Sequence, residues 1–297
     1  MRVLNFGSLN LDYVYAVDHF VRPGETLSAA SRAVKCGGKG LNQSIALARA
    51  GAEVCHAGCL GAGGESLRQL LAGDGVDVSM LREVDEMQGH TVIQVDPSGE
   101  NCILLYGGSN RCVTLAQIDD TLSSFGPGDW LVLQNEINGN AAIVDRAHAR
   151  GMRIALNPSP CDDALADVDF DRLTWLLVNE VEAEQLSGSG DPESAWAWMH
   201  ARWPGLSVLI TLGSAGSVAF AVADGKIETA RQEAFRVRAV DTTAAGDTYT
   251  GYFIAGLMAG MPLQACMRRA SRASAISVTR PGAADSIPFR AELEAAD

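Results

Sequence analysis

The chain has 297 residues, of which 47% are hydrophobic, and a formal net charge of −13. That length and apolar content support a full α/β core and exclude a disordered chain. The acidic balance, with no basic stripe to offset it, argues against nucleic-acid and anionic-membrane partners, and no apolar run approaches the ~20 residues of a membrane span.

The first residues, Arg2 to Gly7, read as a buried strand and are too short and interrupted for a secretory signal. Seven cysteines without ligand spacing read as reduced thiols in a cytoplasmic protein without structural zinc. Asn10 and Asp12 follow the first strand. Two residues apart on an extended segment, they face the same way. Such a pair can hold adjacent sugar hydroxyls; taken alone it reads first as an Asx-type turn. Arg22-Pro23-Gly24-Glu25-Thr26 is a turn flanked by short extended pieces. Next comes Cys36-Gly37-Gly38-Lys39-Gly40-Leu41-Asn42-Gln43, opening a helix to about Ala50. Glycines before a helix suggest close backbone approach to a ligand, although an exposed lysine at an ordinary helix start fits too. It is not a Walker A loop, because Gly40 follows Lys39 where Ser or Thr belongs. Asn42-Gln43-Ser44 matches a glycosylation sequon, a chance match in a chain without a secretion signal.

Val54 to Leu60 is a strand. Gly61-Ala62-Gly63-Gly64 follows, then a helix to about Ala72. The glycine spacing does not fit a dinucleotide fingerprint. Val92–Asp96 and Asn101–Leu105 flank the turn Pro97-Ser98-Gly99-Glu100 and form a hairpin. From Leu115 onward strands and helices alternate. The strand Trp130–Gln134 leads to Glu136, Arg153–Leu156 leads to Asn157, and Trp175–Val178 leads to Asn179 and Glu182. The strand Val208–Leu212 leads to Gly213-Ser214-Ala215-Gly216. Ligands in such sheets gather at the carboxyl ends of strands, but polar residues at loop starts are commonplace. Asp224-Gly225 makes a second hairpin turn.

The strongest motif is Asp241-Thr242-Thr243-Ala244-Ala245-Gly246-Asp247, a tight turn opening a helix toward Gly260. Small side chains leave backbone N–H groups at the helix start facing outward, where the dipole favours an anion. Asp247 falls in the first turn, placed to take a proton from a nucleophile attacking that anion. An ordinary N-cap by Asp241 or Thr243 is the competing reading. A last helix runs from Pro262 to about Thr279.

Asn-x-Asp, Gly-Gly-Lys-Gly-x-Asn-Gln, Asn-x-x-Glu and Asp-Thr-Thr-Ala-Ala-Gly-Asp together resemble the signatures of the ribokinase-like (PfkB) carbohydrate kinases, over nearly the whole chain. The resemblance implies a three-layer α/β/α sandwich with a mostly parallel central sheet and a small β-sheet lid. It implies one kinase domain over 1–297, with the lid formed from about 13–34 and 89–108. Asp247 becomes the base, and the N–H groups of Ala244, Ala245 and Gly246 the anion hole. The sugar set becomes Asn10, Asp12, Gly38, Lys39, Asn42, Thr91, Ile93, Leu105 and Glu136. ATP phosphates and Mg²⁺ fall to Asn179, Glu182, Thr211, Gly213 and Gly216, with Ser271 in the nucleotide set. A monovalent-cation site for K⁺ falls to Asp241, Thr243, Val278, Pro281, Gly282 and Ser286. A homodimer through the lid is implied as well.

Within that family the sugar set carries carboxylates and one lysine but no arginine cluster. It therefore suits a neutral sugar over a phosphosugar, and the resemblance points to a pentose such as ribose. A nucleoside kinase of the same superfamily, with Tyr13 and Tyr15 as a base platform, stays open. So does a sensor without turnover, against which the retained Asp247 argues.

Overall fold

The computed structural model describes residues 1–294. The chain begins with β1 (Val3–Phe6), β2 (Asn10–Ala16), β3 (Ser31–Gly37), α1 (Lys39–Arg49), β4 (Val54–Ala62), α2 (Glu65–Gly73), β5 (Asp77–Met87), β6 (His90–Val95) and β7 (Asn101–Tyr106). It continues with α3 (Leu115–Leu122), β8 (Trp130–Gln134), α4 (Asn140–Ala149), β9 (Arg153–Asn157), β10 (Trp175–Asn179), α5 (Glu180–Ser187) and α6 (Pro192–Arg202). The last elements are β11 (Ser207–Thr211), β12 (Ser217–Ala223), β13 (Lys226–Gln232), α7 (Ala245–Met258), α8 (Leu263–Ser277) and α9 (Arg290–Glu294).

Nine strands form the central sheet in the order β13-β12-β11-β10-β9-β8-β1-β4-β5. Pairing is parallel from β5 across to β11, and β12 is antiparallel to both its neighbours. The inner strands are short and buried on both faces, as parallel sheets covered by crossover helices require. Alternation then sends Val3, Val132 and Leu177 to one face and Leu4, Leu131 and Leu176 to the other. The first face packs α1, α2, α7 and α8; the second packs α3 to α6. This is the expected three-layer α/β/α sandwich. Among the described residues, no helix is long and apolar enough to cross a membrane.

A second, four-stranded sheet has the order β3-β2-β6-β7. Its β2–β6 pair is parallel, so β6 and β7 join β2 and β3 as a mixed sheet. The hairpin turn is held by Asp96, whose Oδ1 accepts from the backbone of Ser98 at 2.9 Å and of Glu100 at 3.0 Å.

Strand β5 was not foreseen. Its residues are mostly polar and exposed, as befits the edge of the sheet, and its pairing with β4 is interrupted by two register shifts. Helix α6 was also not distinguished from α5.

The start of α1 is wedged under the β1–β2 junction. A Cβ on Gly40 would sit 2.4 Å from the backbone nitrogen of Ser8, so only glycine allows this approach. Gly38, the residue before α1, has φ +95°, a conformation L side chains avoid. These two glycines bring Lys39, Asn42 and Gln43 up to the carboxyl end of the sheet.

Candidate active site

Helix α7 starts at that same end. Its N-cap is Ala244, in the left-handed conformation at φ 59°, ψ 12°. A non-glycine residue pays roughly 1–2 kcal/mol for that conformation, and alanine brings the smallest side chain to it. Asp241 organises the preceding turn: its Oδ1 accepts from the backbone of Thr243 at 2.9 Å and from the Thr243 hydroxyl at 2.6 Å. The reading of Asp241 or Thr243 as the N-cap fails, because Ala244 is the N-cap and no side chain caps α7. Asp241 makes the local turn, while Ala244, Ala245, Gly246 and Asp247 line a cavity.

That cavity is about 230 Å³ and is also lined by Lys39, Asn157, Asn179, Glu182 and Thr211. A second cavity, about 460 Å³, shares Thr211, Thr242, Ala245 and Gly246 with it. Gly213, Gly216, Phe235, Val237, Tyr249, Ser271 and Val278 are among the other residues of its wall. The larger, more apolar cavity has the character of a site for an organic ligand. The smaller, polar one lies over a helix start and has the character of a phosphate site. A Cβ on Gly246 would meet nothing within 4 Å, so the backbone there is open to a ligand.

Asp247 is buried, with 7% of its surface exposed. Its Oδ2 accepts from the Asn42 amide at 3.0 Å and its Oδ1 from the Gln43 amide at 2.9 Å. Among the described residues, the Oδ1 of Asn42 is buried without a partner. Asn42 is therefore a poor glycosylation site, its amide committed to Asp247.

Lys39 lies among Asp247, Glu136 and Glu182. Burial works against its charge, and these three carboxylates outweigh burial, so its ammonium is held more firmly than usual. Burial pushes Glu136 up, against the pull of Lys39 and hydrogen bonds from the Ser8 hydroxyl at 2.5 Å and the Lys39 backbone at 3.2 Å.

On the small sheet, burial raises Asp12, opposed by a 2.6 Å hydrogen bond that its Oδ1 accepts from the Thr91 hydroxyl. Asp12, Thr91 and Leu105 are cross-strand neighbours and face the same way; Ile93 is two residues along on that face. Leu105 is 41% exposed. Asn10 is buried and accepts from the Asn110 amide at 2.7 Å, and Asn110 also takes the backbone N–H of Leu9 at 2.9 Å.

Asn179 and Glu182 form a capping box on α5: Asn179 Oδ1 accepts from the Glu182 backbone at 2.8 Å, and Glu182 Oε2 from the Asn179 backbone at 3.1 Å. The box is a structural duty, yet both residues also line the smaller cavity. Among the described residues, no group of three or more His, Cys, Asp or Glu side chains could hold a metal ion. Two carboxylates, Asp247 and Glu182, with Asn157 and Asn179 nearby, instead suit an ion that keeps several waters and leans on substrate phosphates. That is the habit of Mg²⁺.

The monovalent-cation set converges in part. Asp241 Oδ2 accepts from Gly282 at 2.9 Å, and the Val278 carbonyl accepts from Val240 at 2.7 Å and Asp241 at 3.2 Å. Burial works to raise Asp241, and the hydrogen bonds from Thr243 and Gly282 overcome it, holding the carboxyl below its usual range. Both carboxylate oxygens are thus taken up by hydrogen-bond donors, and the Val278 carbonyl by backbone N–H groups. Ser286 is buried and its hydroxyl donates to the Ala283 carbonyl at 2.7 Å. No hydrogen bond ties Pro281 to this group among the described residues.

Sequence reasoning missed Gln43, Asn110, Asn5 and Gln134, and the stretch 234–239 that walls the larger cavity. A signal existed for Asn5: a lone amide in the fully buried strand Val3-Leu4-Asn5-Phe6 needs a reason. The 234–239 stretch has no regular structure and offered no periodicity to read.

Residues 2–290 match the pfkB family carbohydrate kinases. The chain is 36% identical to the ribokinase of Haemophilus influenzae, over 96% of this chain and 95% of that protein. Among solved structures, ribokinase from Thermotoga maritima superposes with a TM-score of 0.86 at 32% identity, covering 99% of this chain and 98% of that one. The Arabidopsis thaliana ribokinase complexed with ribose and ATP gives a TM-score of 0.86 at 28% identity, covering 99% and 97%. The nucleoside kinase of Burkholderia thailandensis in complex with inosine, at 18% identity, shares the fold. The chain belongs to the pfkB family of carbohydrate kinases.

Proposed function

We propose that this protein transfers the γ-phosphoryl group of MgATP to the primary hydroxyl of an unphosphorylated pentose, ribose above others. The observation that carries the reading is Asp247: a buried carboxylate at an open helix start, oriented by two amide donors, beside a polar cavity. Its likeness to ribokinases over nearly the whole chain supports the choice of sugar.

The sugar lies between the small sheet and α1. Asn10, Asp12, Gly38, Lys39, Asn42 and Glu136 take its hydroxyls, and Thr91, Ile93 and Leu105 face it. Asp247 accepts the proton of the primary hydroxyl as that oxygen attacks the γ-phosphorus. The bond from phosphorus to the β,γ-bridging oxygen breaks, and ADP leaves with that electron pair. The N–H groups at Ala244, Ala245 and Gly246 stabilise charge on the transferring group. Thr211, Gly213, Gly216 and Ser271 hold the nucleotide. Asn179 and Glu182 would hold Mg²⁺, which would supply neutralisation of the phosphate charge. Asp241, Thr243, Val278, Pro281, Gly282 and Ser286 would hold K⁺, which would order the loop leading into α7.

In the same reading, residues 1–297 are one kinase domain in the cytoplasm, and the small sheet is a lid that excludes water as a competing acceptor. The outer face of that sheet carries Val34, Leu104 and Tyr106, an apolar patch suited to pairing two copies as a homodimer.

The test is kcat/KM for ribose, other free sugars, nucleosides and fructose phosphates at saturating MgATP. Ribose is expected to lead. A phosphosugar leading would overturn the charge argument, since Asp12, Glu136 and Asp247 face Lys39 alone in the sugar set. A nucleoside leading would overturn the pentose.

The Asp12→Asn variant is expected to raise ribose KM about 10- to 100-fold, the loss of a charge-assisted hydrogen bond. It is also expected to melt higher than wild type at pH 7 to 8. The folded Asp12 holds its proton more tightly than the unfolded chain does. Ionising it therefore costs stability above that raised value, and the cost vanishes as pH falls below the ordinary carboxylate range. Melting curves of the two proteins against pH should converge on the acid side. A variant that melts lower at every pH would contradict this account of Asp12.

A further inference from the structure

We infer that three buried amides, Asn5, Gln134 and Gln43, form a relay that dictates which way the donors around Asp247 point. The inference rests on reading Asp247 as the base. Asn5 on β1, Gln134 on β8 and Gln43 on α1 are each 0% exposed. They lie behind Asp247, away from both cavities.

An amide side chain can be turned over, exchanging donor for acceptor, so its orientation must come from its partners. Here one partner has no choice. The Gly40 carbonyl can only accept, and Asn5 reaches it at 2.8 Å, so that atom of Asn5 is Nδ2. Asn5 Oδ1 must then accept, and it does so from Gln134 Nε2 at 2.9 Å. The same Nε2 donates at 2.7 Å to Gln43 Oε1. Gln43 Nε2 is thereby aimed at Asp247 Oδ1, at 2.9 Å.

A second backbone carbonyl demands the same answer. Asn157 Nδ2 donates to Leu177 O at 2.9 Å, so Asn157 Oδ1 is an acceptor, and it lies 3.4 Å from Gln43 Nε2. The branch from Asn5 agrees as well. Asn5 Nδ2 donates to Ser44 Oγ at 2.8 Å, and Ser44 lies 2.8 Å from His56 Nδ1. Burial lowers His56 to about 4, so its ring stays neutral and can accept from Ser44 at working pH.

A backbone carbonyl thus sets the polarity of three side chains and delivers a donor to the carboxylate. With Asn42 holding Oδ2, the two oxygens of Asp247 are each anchored by a neutral donor. Neither donor carries a charge, so both orient the carboxylate through hydrogen bonds alone. Gln43, Gln134 and Asn5 are positioning residues.

The decisive variant is Gln134→Met, similar in volume and unable to donate. It is expected to lower kcat about 10²-fold, the scale of a misplaced reacting group, with ribose KM changed less than about threefold. In an Asp247→Asn background the same substitution should change the residual rate less than about twofold, because the relay acts only through Asp247. Equal fold losses in both backgrounds, or undiminished kcat in Gln134→Met, would overturn the relay. Full turnover by Asp247→Asn alone would instead overturn the reading of the base.

Should Gln134→Met not fold, Gln134→Glu keeps the shape. Its introduced carboxyl can donate to Gln43 only while protonated. Its kcat relative to wild type should therefore fall as pH rises between about 5 and 9, burial having raised the carboxyl into that range. A ratio constant with pH would overturn the relay.

Discussion

The Asp247→Asn enzyme is expected to lose about 10²- to 10⁴-fold in kcat, the usual worth of a general base. Ribose affinity should change little, because the amide keeps the outline of the carboxylate. The local geometry adds a second expectation. Both oxygens of Asp247 accept from NH₂ groups, Asn42 on one side and Gln43 on the other. An asparagine has one oxygen and one NH₂, so either two donors face each other or Asn42 turns over and moves its own NH₂ to a buried position without an acceptor. A buried donor without an acceptor costs about 1–3 kcal/mol, so the variant should also melt lower. Asp247→Ser avoids the opposed donors, lacks the base, and should be as inactive while melting differently. ADP release measured by a coupled assay, and ribose binding by calorimetry, separate the two effects. Near-normal turnover by Asp247→Asn would remove the base from the mechanism.

The parts of this site that the sequence made legible were those that repeat as short motifs on the chain. Gly38-Lys39-Gly40 and Ala244-Ala245-Gly246-Asp247 announce themselves because backbone approach to a ligand needs small residues at fixed spacing. The βα alternation after Leu115 was equally plain, since buried parallel strands leave short apolar runs. What stayed hidden depends on contacts between distant residues. Gln43 and Asp247 are 204 residues apart, and Gln134 and Asn5 are 129 apart. No local period marks such pairs. Strand β5 hid for a different reason: at the sheet edge its apolar residues alternate with charges, and register shifts break the alternation. The fold of the small sheet was only half legible. Its hairpin follows from turn chemistry, whereas the parallel β2–β6 pairing joins segments with no sequence cue to each other.

Withdrawal of Mg²⁺ is expected to lower the rate more than about 10³-fold, because a bound divalent ion contributes several kcal/mol to the transition state. The charge layout makes the dependence severe. The protein carries −13 overall, and the smaller cavity sets Asp247 and Glu182 against Lys39 alone. Unscreened triphosphate would bring further negative charge among them, and like charges about 4 Å apart repel by about 4 kcal/mol even at a generous effective dielectric. The capping box permits a clean test of Glu182. Glutamine serves a capping box as well as glutamate does, so Glu182→Gln keeps the bond to the Asn179 backbone and the start of α5. The variant should therefore fold and melt normally, while the Mg²⁺ concentration for half-maximal rate rises about tenfold, equivalent to about 1.4 kcal/mol. An unchanged Mg²⁺ requirement in a folded Glu182→Gln enzyme would confine Glu182 to its structural role. A lowered melting temperature with an unchanged requirement would say the same more strongly, since the box would then be all that the carboxylate serves.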